Sequence, residues 1–185
     1  KKLKFKGQDI TVTELTKDSF KGIDIALFSA GGSISKEFAP IAAKAGCVVV
    51  GNSSAFRQDP EVPLVIPVIN AEDVKQHKGI IANPNCTTAI TLMALYPLHE
   101  AFGLEQAVVT TFQAISGAGK PGPSAGDLLD NVIPFIANEE DKHGKECRKI
   151  LGKLGTSGIE DASVRVSASC TRVPVAHGHL ASVSL

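Results

Sequence analysis

The chain has 185 residues, 43% of them hydrophobic, enough for one sizeable core or two modest ones. Its 19 basic and 19 acidic side chains cancel, so no global field points to nucleic acid or an anionic membrane. No apolar run approaches the roughly 18 residues that span a bilayer, and the four cysteines show neither C-x-x-C spacing nor a histidine cluster, which argues against a metal site or a disulfide framework. The expectation is a cytoplasmic protein with reduced thiols. Because it opens on Lys1 and closes on an alternating 180–185 stretch, the chain reads as an internal piece of a longer protein.

"KKLKFKG" alternates lysine with Leu3 and Phe5, a strand with one wet face; nothing basic or aromatic continues it toward a nucleic-acid site. "IDIALFSAGG" is an apolar strand running into a glycine turn, and "SISKEFAPIAAKAG" has helical spacing with a glycine stop. "CVVVG" is a buried strand, "NSSAFR" a loop, and "VPLVIPVIN" extended but irregular because of its prolines. "GIIAN" is a further strand. Strands separated by a helix predict a parallel sheet with crossovers. "CTTAITLMALYPLHEAFG" is apolar nearly all round, so a buried helix is expected, kinked or ended by Pro97.

After Gly103 the pattern changes. "LEQAVVTTFQAIS" is a long strand, "GAGKPGPSAGD" a loop, and "EEDKHGKECRKILGKLG" a helix charged on one side. "ASVRVSASC" puts Val164, Val166, Ala168 and Cys170 on one face. The fold class is therefore α/β, with a parallel-sheet domain over 1–84 followed by an α+β domain over 85–185, the boundary falling near 84–103. Cys47 and Cys170 read as core; Cys147 lies within a charged helix.

Cys86 is different. A strand ending at Asn83 passes through Pro84 to Asn85, a good N-cap, and Cys86 falls in the first helical turn. Unpaired N–H groups and the helix dipole there favour negative charge, so a lowered thiol pKa is expected, together with donors for an oxyanion on an acyl carbon. Position alone does not separate this nucleophile from a small buried core residue. A thiolate also needs a proton-handling partner. "TRVPVAHGHL" offers Arg172, His177 and His179, and periodicity cannot choose between the histidines.

Together "FSAGGS", "NSSAFR", "PNCTT", "FQAISGAG", "NEEDK" and "RVPVAHGH", in this order along essentially the whole chain, resemble the aspartate-semialdehyde dehydrogenase family. The segment from "SGAGKPGPSAGD" to "NEEDK" is similar to the archaeal and fungal branch, "FSAGGSISKEFAP" to the bacterial and plant branch. The resemblance implies a Rossmann-like NADP-binding domain, lacking its N-terminal part here, then a C-terminally truncated catalytic and dimerisation domain. It implies NADPH-dependent reductive dephosphorylation of β-aspartyl phosphate to aspartate semialdehyde, in the biosynthesis of lysine, threonine, methionine and isoleucine. Cys86 would form a thioester with loss of inorganic phosphate, hydride from the nicotinamide would reduce it, and collapse would free the aldehyde. By the same resemblance His179 is the acid/base and Gln113 orients the reacting group, while Asn85 polarises the carbonyl. Arg172 takes the substrate carboxylate, Glu139 the ammonium, and Arg57 and Lys142 the phosphate. Ser29, Ala30, Gly31 and Ser53 would line the nucleotide cleft, with Ser116 and Gly117 near the nicotinamide. A homodimer or homotetramer is implied.

Two other readings compete. N-acetyl-γ-glutamyl-phosphate reductase shares the chemistry, but an acylated amine has no use for Glu139. A degenerate paralogue serving only as a dimer partner would fit the absence of a glycine-rich pyrophosphate turn. It would not explain why Cys86, Gln113, Arg172 and His179 are all present. With the glycine turn absent, this segment alone is expected to bind NADP poorly and turn over little.

Overall fold

A computed structural model describes residues 1–119, 122–155 and 158–185. Lys120 and Pro121, inside the expected glycine- and proline-rich loop, lie outside the described residues, as do Thr156 and Ser157.

The chain opens with a hairpin, β1 (Lys2–Phe5) against β2 (Gln8–Thr11), rather than one strand. Its two-residue turn, Lys6 and Gly7 at φ +48° and +78°, matches the strand twist and explains the tight reversal. Both strands are exposed. The expected parallel sheet follows: β3 (Ile25–Phe28), α1 (Gly32–Lys44), β4 (Val48–Gly51) and β5 (Ile80–Ala82), in spatial order β3-β4-β5. Between β4 and β5 the prolines act as expected on one side only. Leu64 still makes a parallel bridge to Ala82, whereas Pro67 starts a short helix, α2 (Pro67–Asn70), that runs into a 3-10 turn over Ala71–Gln76.

α3 (Cys86–Phe102) follows β5. Of the two outcomes expected at Pro97, ending the helix is excluded, since α3 runs on to Phe102, and the expectation of all-round burial needs correction, since Met93 and Phe102 are 51% and 82% exposed. Met93 and Pro97 share the wet side, so the carbonyl that proline leaves without an N–H faces solvent, where the loss costs least. The second sheet has order β10-β6-β9, from β6 (Gln106–Gln113), β9 (Arg165–Arg172) and β10 (Leu180–Ser184). β6 pairs parallel with β9 and antiparallel with β10. Between β6 and β9 come a 3-10 turn (Ile115–Ala118), α4 (Ala125–Leu128), α5 (Glu139–Ile150) and a β7–β8 hairpin (Lys153–Gly155, Gly158–Glu160).

One core unites the two halves. Val62, Leu64, Ile66 and Ala82 pack with Leu92 of α3, Cys147 and Ile150 of α5, and Val164. A second cluster, Phe20, Phe28, Ala39, Ala42, Cys47 and Val49, seats α1 on the first sheet. Cys47, Cys147 and Cys170 are all buried; the sulfur of Cys147 is pushed up to about 12 by its burial. The charged helix α5 is therefore partly inward, burying His143, Glu146, Cys147 and Lys149.

Candidate active site

The three parallel strands deliver their C-terminal ends to one edge, where open α/β sheets bind ligands. β3 ends at Phe28 and runs into Ser29–Gly31, β4 ends at Gly51 and runs into Asn52 and Ser53, and β5 ends at Ala82 and leads through Asn83 to Asn85 into α3. Asn52 N–H bonds Phe28 O and Asn83 N–H bonds Gly51 O, so these exits are stitched side by side. Ser29, Ala30 and Gly31 are exposed, and Ser53 is half-buried. Gly31 takes φ +90° to cap α1 and donates no side-chain cap, so the first N–H groups of a 13-residue helix stand open beside it. Such a donor set fits a phosphate or ribose hydroxyl.

Cys86 opens α3. The Asn85 side-chain oxygen accepts from Thr87 N–H at 2.8 Å and from the Thr87 hydroxyl at 2.6 Å, and lies 3.8 Å from the Cys86 sulfur. This N-cap follows the sequence expectation. Its amide nitrogen donates to Glu139 Oε1 at 2.9 Å, and Gln113 Nε2 donates to Glu139 Oε2 at 3.0 Å. Asn85, Cys86, Gln113 and Glu139 therefore belong to one network drawn from three elements.

The expected lowering of the thiol pKa is not what the environment produces. Cys86 is exposed as a residue, yet its thiol is held above its ordinary range. Burial around the sulfur is the largest cause and the Glu139 carboxylate the next; the N–H groups of Thr87 and Cys86, and Arg172, pull the other way without prevailing. Burial of the sulfur and the acid opposite it together outweigh the donors of the helix terminus.

Arg172 and His179 are both organised by the Ala114 peptide. Arg172 Nη1 donates to Ala114 O at 2.8 Å, and Ala114 N–H donates to His179 Nδ1 at 3.0 Å. With Nδ1 accepting, the neutral ring carries its proton on Nε2. Burial, then the Arg172 charge, hold the His179 pKa below its ordinary value, with Glu139 opposing. Gly117 provides the room: a Cβ there would lie 2.9 Å from His179 Nε2 and 3.0 Å from Arg172 Nη1. Ser116 is exposed on the same 3-10 turn, which is tied to the 173–179 loop by Ile115 N–H to Val175 O and Ser116 N–H to Ala176 O. His177 is exposed. A cavity of about 380 Å³ is lined by Gly117, Ile133, Ile136, Glu139 and Arg172, so one carboxylate and one guanidinium share it.

Arg57 is held elsewhere. It is 7% exposed, and its guanidinium donates to Asn83 O, Asn52 O and Glu146 Oε1 at 2.8, 2.8 and 3.0 Å. Lys142 is half-buried, one turn along α5 from Glu139. Sequence reasoning missed Glu146, His143 and Lys149. Lys149 donates to three carbonyls, Arg57, Asp59 and Val62, at 2.9, 2.6 and 2.9 Å. The missed signal was spacing: Glu139, His143, Glu146 and Lys149 recur at helical intervals and form one inward polar stripe. Among the described residues no cluster of His, Cys, Asp and Glu could hold a metal ion, and no helix is long and apolar enough to cross a membrane.

Comparison with known proteins agrees with this layout. Residues 1–77 match the profile of the semialdehyde dehydrogenase NAD binding domain, and residues 95–185 that of the semialdehyde dehydrogenase dimerisation domain. The chain is 46% identical to the aspartate-semialdehyde dehydrogenase of Aquifex aeolicus, covering 100% of this chain and 62% of that protein. It is 39% identical to that of Bacillus subtilis, over 98% of this chain and 60% of that protein. Aspartate semialdehyde dehydrogenase II from Vibrio cholerae superposes with a TM-score of 0.84 at 37% identity, over 99% of this chain and 61% of that one. The Candida albicans enzyme, solved with NADP, superposes at 0.80 with 35% identity, over 87% of this chain and 50% of that one. The chain thus spans about 60% of the length of the curated relatives it matches. With both domain profiles in order and the fold reproduced, the chain belongs to the aspartate-semialdehyde dehydrogenase family.

Proposed function

We propose that this chain carries the acyl-transfer centre of an NADP-dependent aspartate-semialdehyde dehydrogenase, converting β-aspartyl phosphate to aspartate semialdehyde. The observation that carries the reading is the pairing of Glu139 and Arg172 on one cavity, beside a network that ends at Cys86. An amino acid presents an ammonium and a carboxylate, and these two side chains match them in sign.

Cys86 Sγ attacks the acyl phosphate carbon, the C–O bond to phosphate breaks, the departing phosphate carries away the thiol proton, and a thioester forms. The Asn85 amide and the α3 N-terminus supply donors for the carbonyl oxygen. His179 presents its Nε2 proton beside Gly117, available to an oxygen in the cavity. Gln113 holds Glu139 in place. The ammonium would neutralise Glu139, the second of the two causes that raise the Cys86 thiol, so the substrate eases ionisation of its own nucleophile while the effect of burial remains. When bound, NADPH supplies the hydride. The open N–H groups at Gly31, with Ser29, Ala30 and Ser53, would hold part of the dinucleotide, and Ser116 and Gly117 would flank its nicotinamide. Lys142 and Arg57 are assigned to the phosphate, Arg57 through the guanidinium hydrogens left over from its bonds to Asn83, Asn52 and Glu146. The exposed Val108 and Leu180 on the second sheet would lie in a homodimer interface.

Steady-state NADPH oxidation with β-aspartyl phosphate tests this. Cys86→Ser should lose at least about 10³-fold, and Glu139→Gln should raise KM. Equal turnover of N-acetyl-γ-glutamyl phosphate would transfer the assignment to that reductase. The raised Cys86 thiol also favours a second reading, an inert dimer partner; absence of both turnover and acylation would select it.

A further inference from the structure

Glu146 is fully buried, yet its two oxygens serve two distant segments. Oε2 accepts the backbone N–H of Asn85 at 2.6 Å, and Oε1 accepts Arg57 Nη1 at 3.0 Å. Asn85 is the N-cap of α3 and precedes Cys86 in the chain. Arg57 in turn holds the carbonyls of Asn52 and Asn83, which leave β4 and β5. One carboxylate on α5 thereby joins the base of the Cys86 helix to the exits of two parallel strands.

We propose that Glu146 is a positioning residue that fixes the α3 N-terminus, and with it Cys86 and the Asn85 amide, against the Arg57 guanidinium. The catalytic consequence rests on the function proposed above; the positional claim does not. A carboxylate is required because both partners are donors. It offers acceptor oxygens to each, and its charge balances Arg57 inside the protein. Glutamine keeps the shape but has one acceptor oxygen, so its NH₂ must face either the Asn85 N–H or the guanidinium. A buried ion pair adds little to stability against apolar replacement, which leaves specificity of placement as its use here.

The test compares the full chain with Glu146→Gln, and with Glu146→Asp as a variant that retains the charge but falls one methylene short. Hydrogen exchange at Asn85, Cys86 and Thr87 should accelerate about 10- to 100-fold in Glu146→Gln, while β6 and β9 amides stay as protected as in the wild type. Glu146→Asp should fall between them. Cys86 acylation by β-aspartyl phosphate should slow by up to about 100-fold, while iodoacetamide, which needs no oriented carbonyl, should react within about threefold of wild type. Unchanged exchange at 85–87 would overturn the proposal. So would a loss of protection spread evenly over β6 and β9 with Cys147 becoming alkylated, which would make Glu146 a general fold contact. A wild-type chain that is never acylated would overturn the proposed function instead, and the exchange data would still decide the role of Glu146.

Discussion

One methyl group at Gly117 measures how firmly His179 and Arg172 are placed. The backbone there has no positive φ, so alanine is conformationally acceptable. Its Cβ would lie 2.7 Å from His179 Cε1, 2.9 Å from Nε2 and 3.0 Å from Arg172 Nη1. Carbon contacts settle near 3.5–4.0 Å, so the imidazole must retreat by about 1 Å. The ring is held by the Ala114 N–H at 3.0 Å, from the same turn as Gly117, and the retreat strains that bond. A hydrogen bond of this kind contributes about 1 kcal/mol, so Ala114 should exchange about fivefold faster in Gly117→Ala. A misplacement of about 1 Å at reacting groups costs roughly 100-fold in rate. The clash is with ends of side chains, and Gly117 is exposed, so unfolding free energy should change by less than about 1 kcal/mol. The assay is amide exchange and His179 ring shifts by NMR, alongside urea unfolding. Unaltered Ala114 exchange with unaltered ring shifts would refute the placement of His179 against Gly117.

Other expectations follow from the same contacts. Iodoacetamide should react with Cys86 alone among the four cysteines, with an inflection above the ordinary thiol value, and Glu139→Gln should move that inflection down; no movement would remove Glu139 as a cause. Burial keeps His143 below its ordinary pKa. The unfolded chain then binds a proton at higher pH than the folded one, so stability should fall as pH drops through about 6.5, and His143→Gln should flatten that slope in urea titrations. Lys149→Met should cost about 2–4 kcal/mol, because three carbonyls of the 57–62 segment lose their common donor; a neutral result would show that desolvation of the ammonium had offset them.

Much of the fold was legible because it rests on local patterns. The apolar run CVVVG announced β4 and the clean alternation of 162–170 announced β9, and the glycine at position 46, at φ +89°, marked the end of α1. The N-cap at Asn85 was readable for the same reason: capping is a matter of adjacent residues. What escaped depends on contacts far apart in sequence. Charges on α5 look solvated until β9 and the 57–62 segment are brought against them; only then do Glu146 and Lys149 become buried and bonded. The thiol direction escaped similarly, since it follows from burial around the sulfur and then from Glu139, which stands 53 positions beyond Cys86. Pro97 escaped because tolerance of a helix proline depends on which side is wet.

The central claim is that Cys86 accepts an acyl group within the Asn85, Gln113, Glu139, Arg172 and His179 constellation. Acylation needs no nucleotide, so it can be read without NADPH: the chain is mixed with β-aspartyl phosphate, phosphate release is timed, and the modified cysteine is located by mass spectrometry. The account predicts one phosphate per chain with the aspartyl group on Cys86, suppressed in Arg172→Ala. Free Cys86 in a folded chain that still alkylates with iodoacetamide, or release of phosphate unaffected by Cys86→Ser, would contradict it.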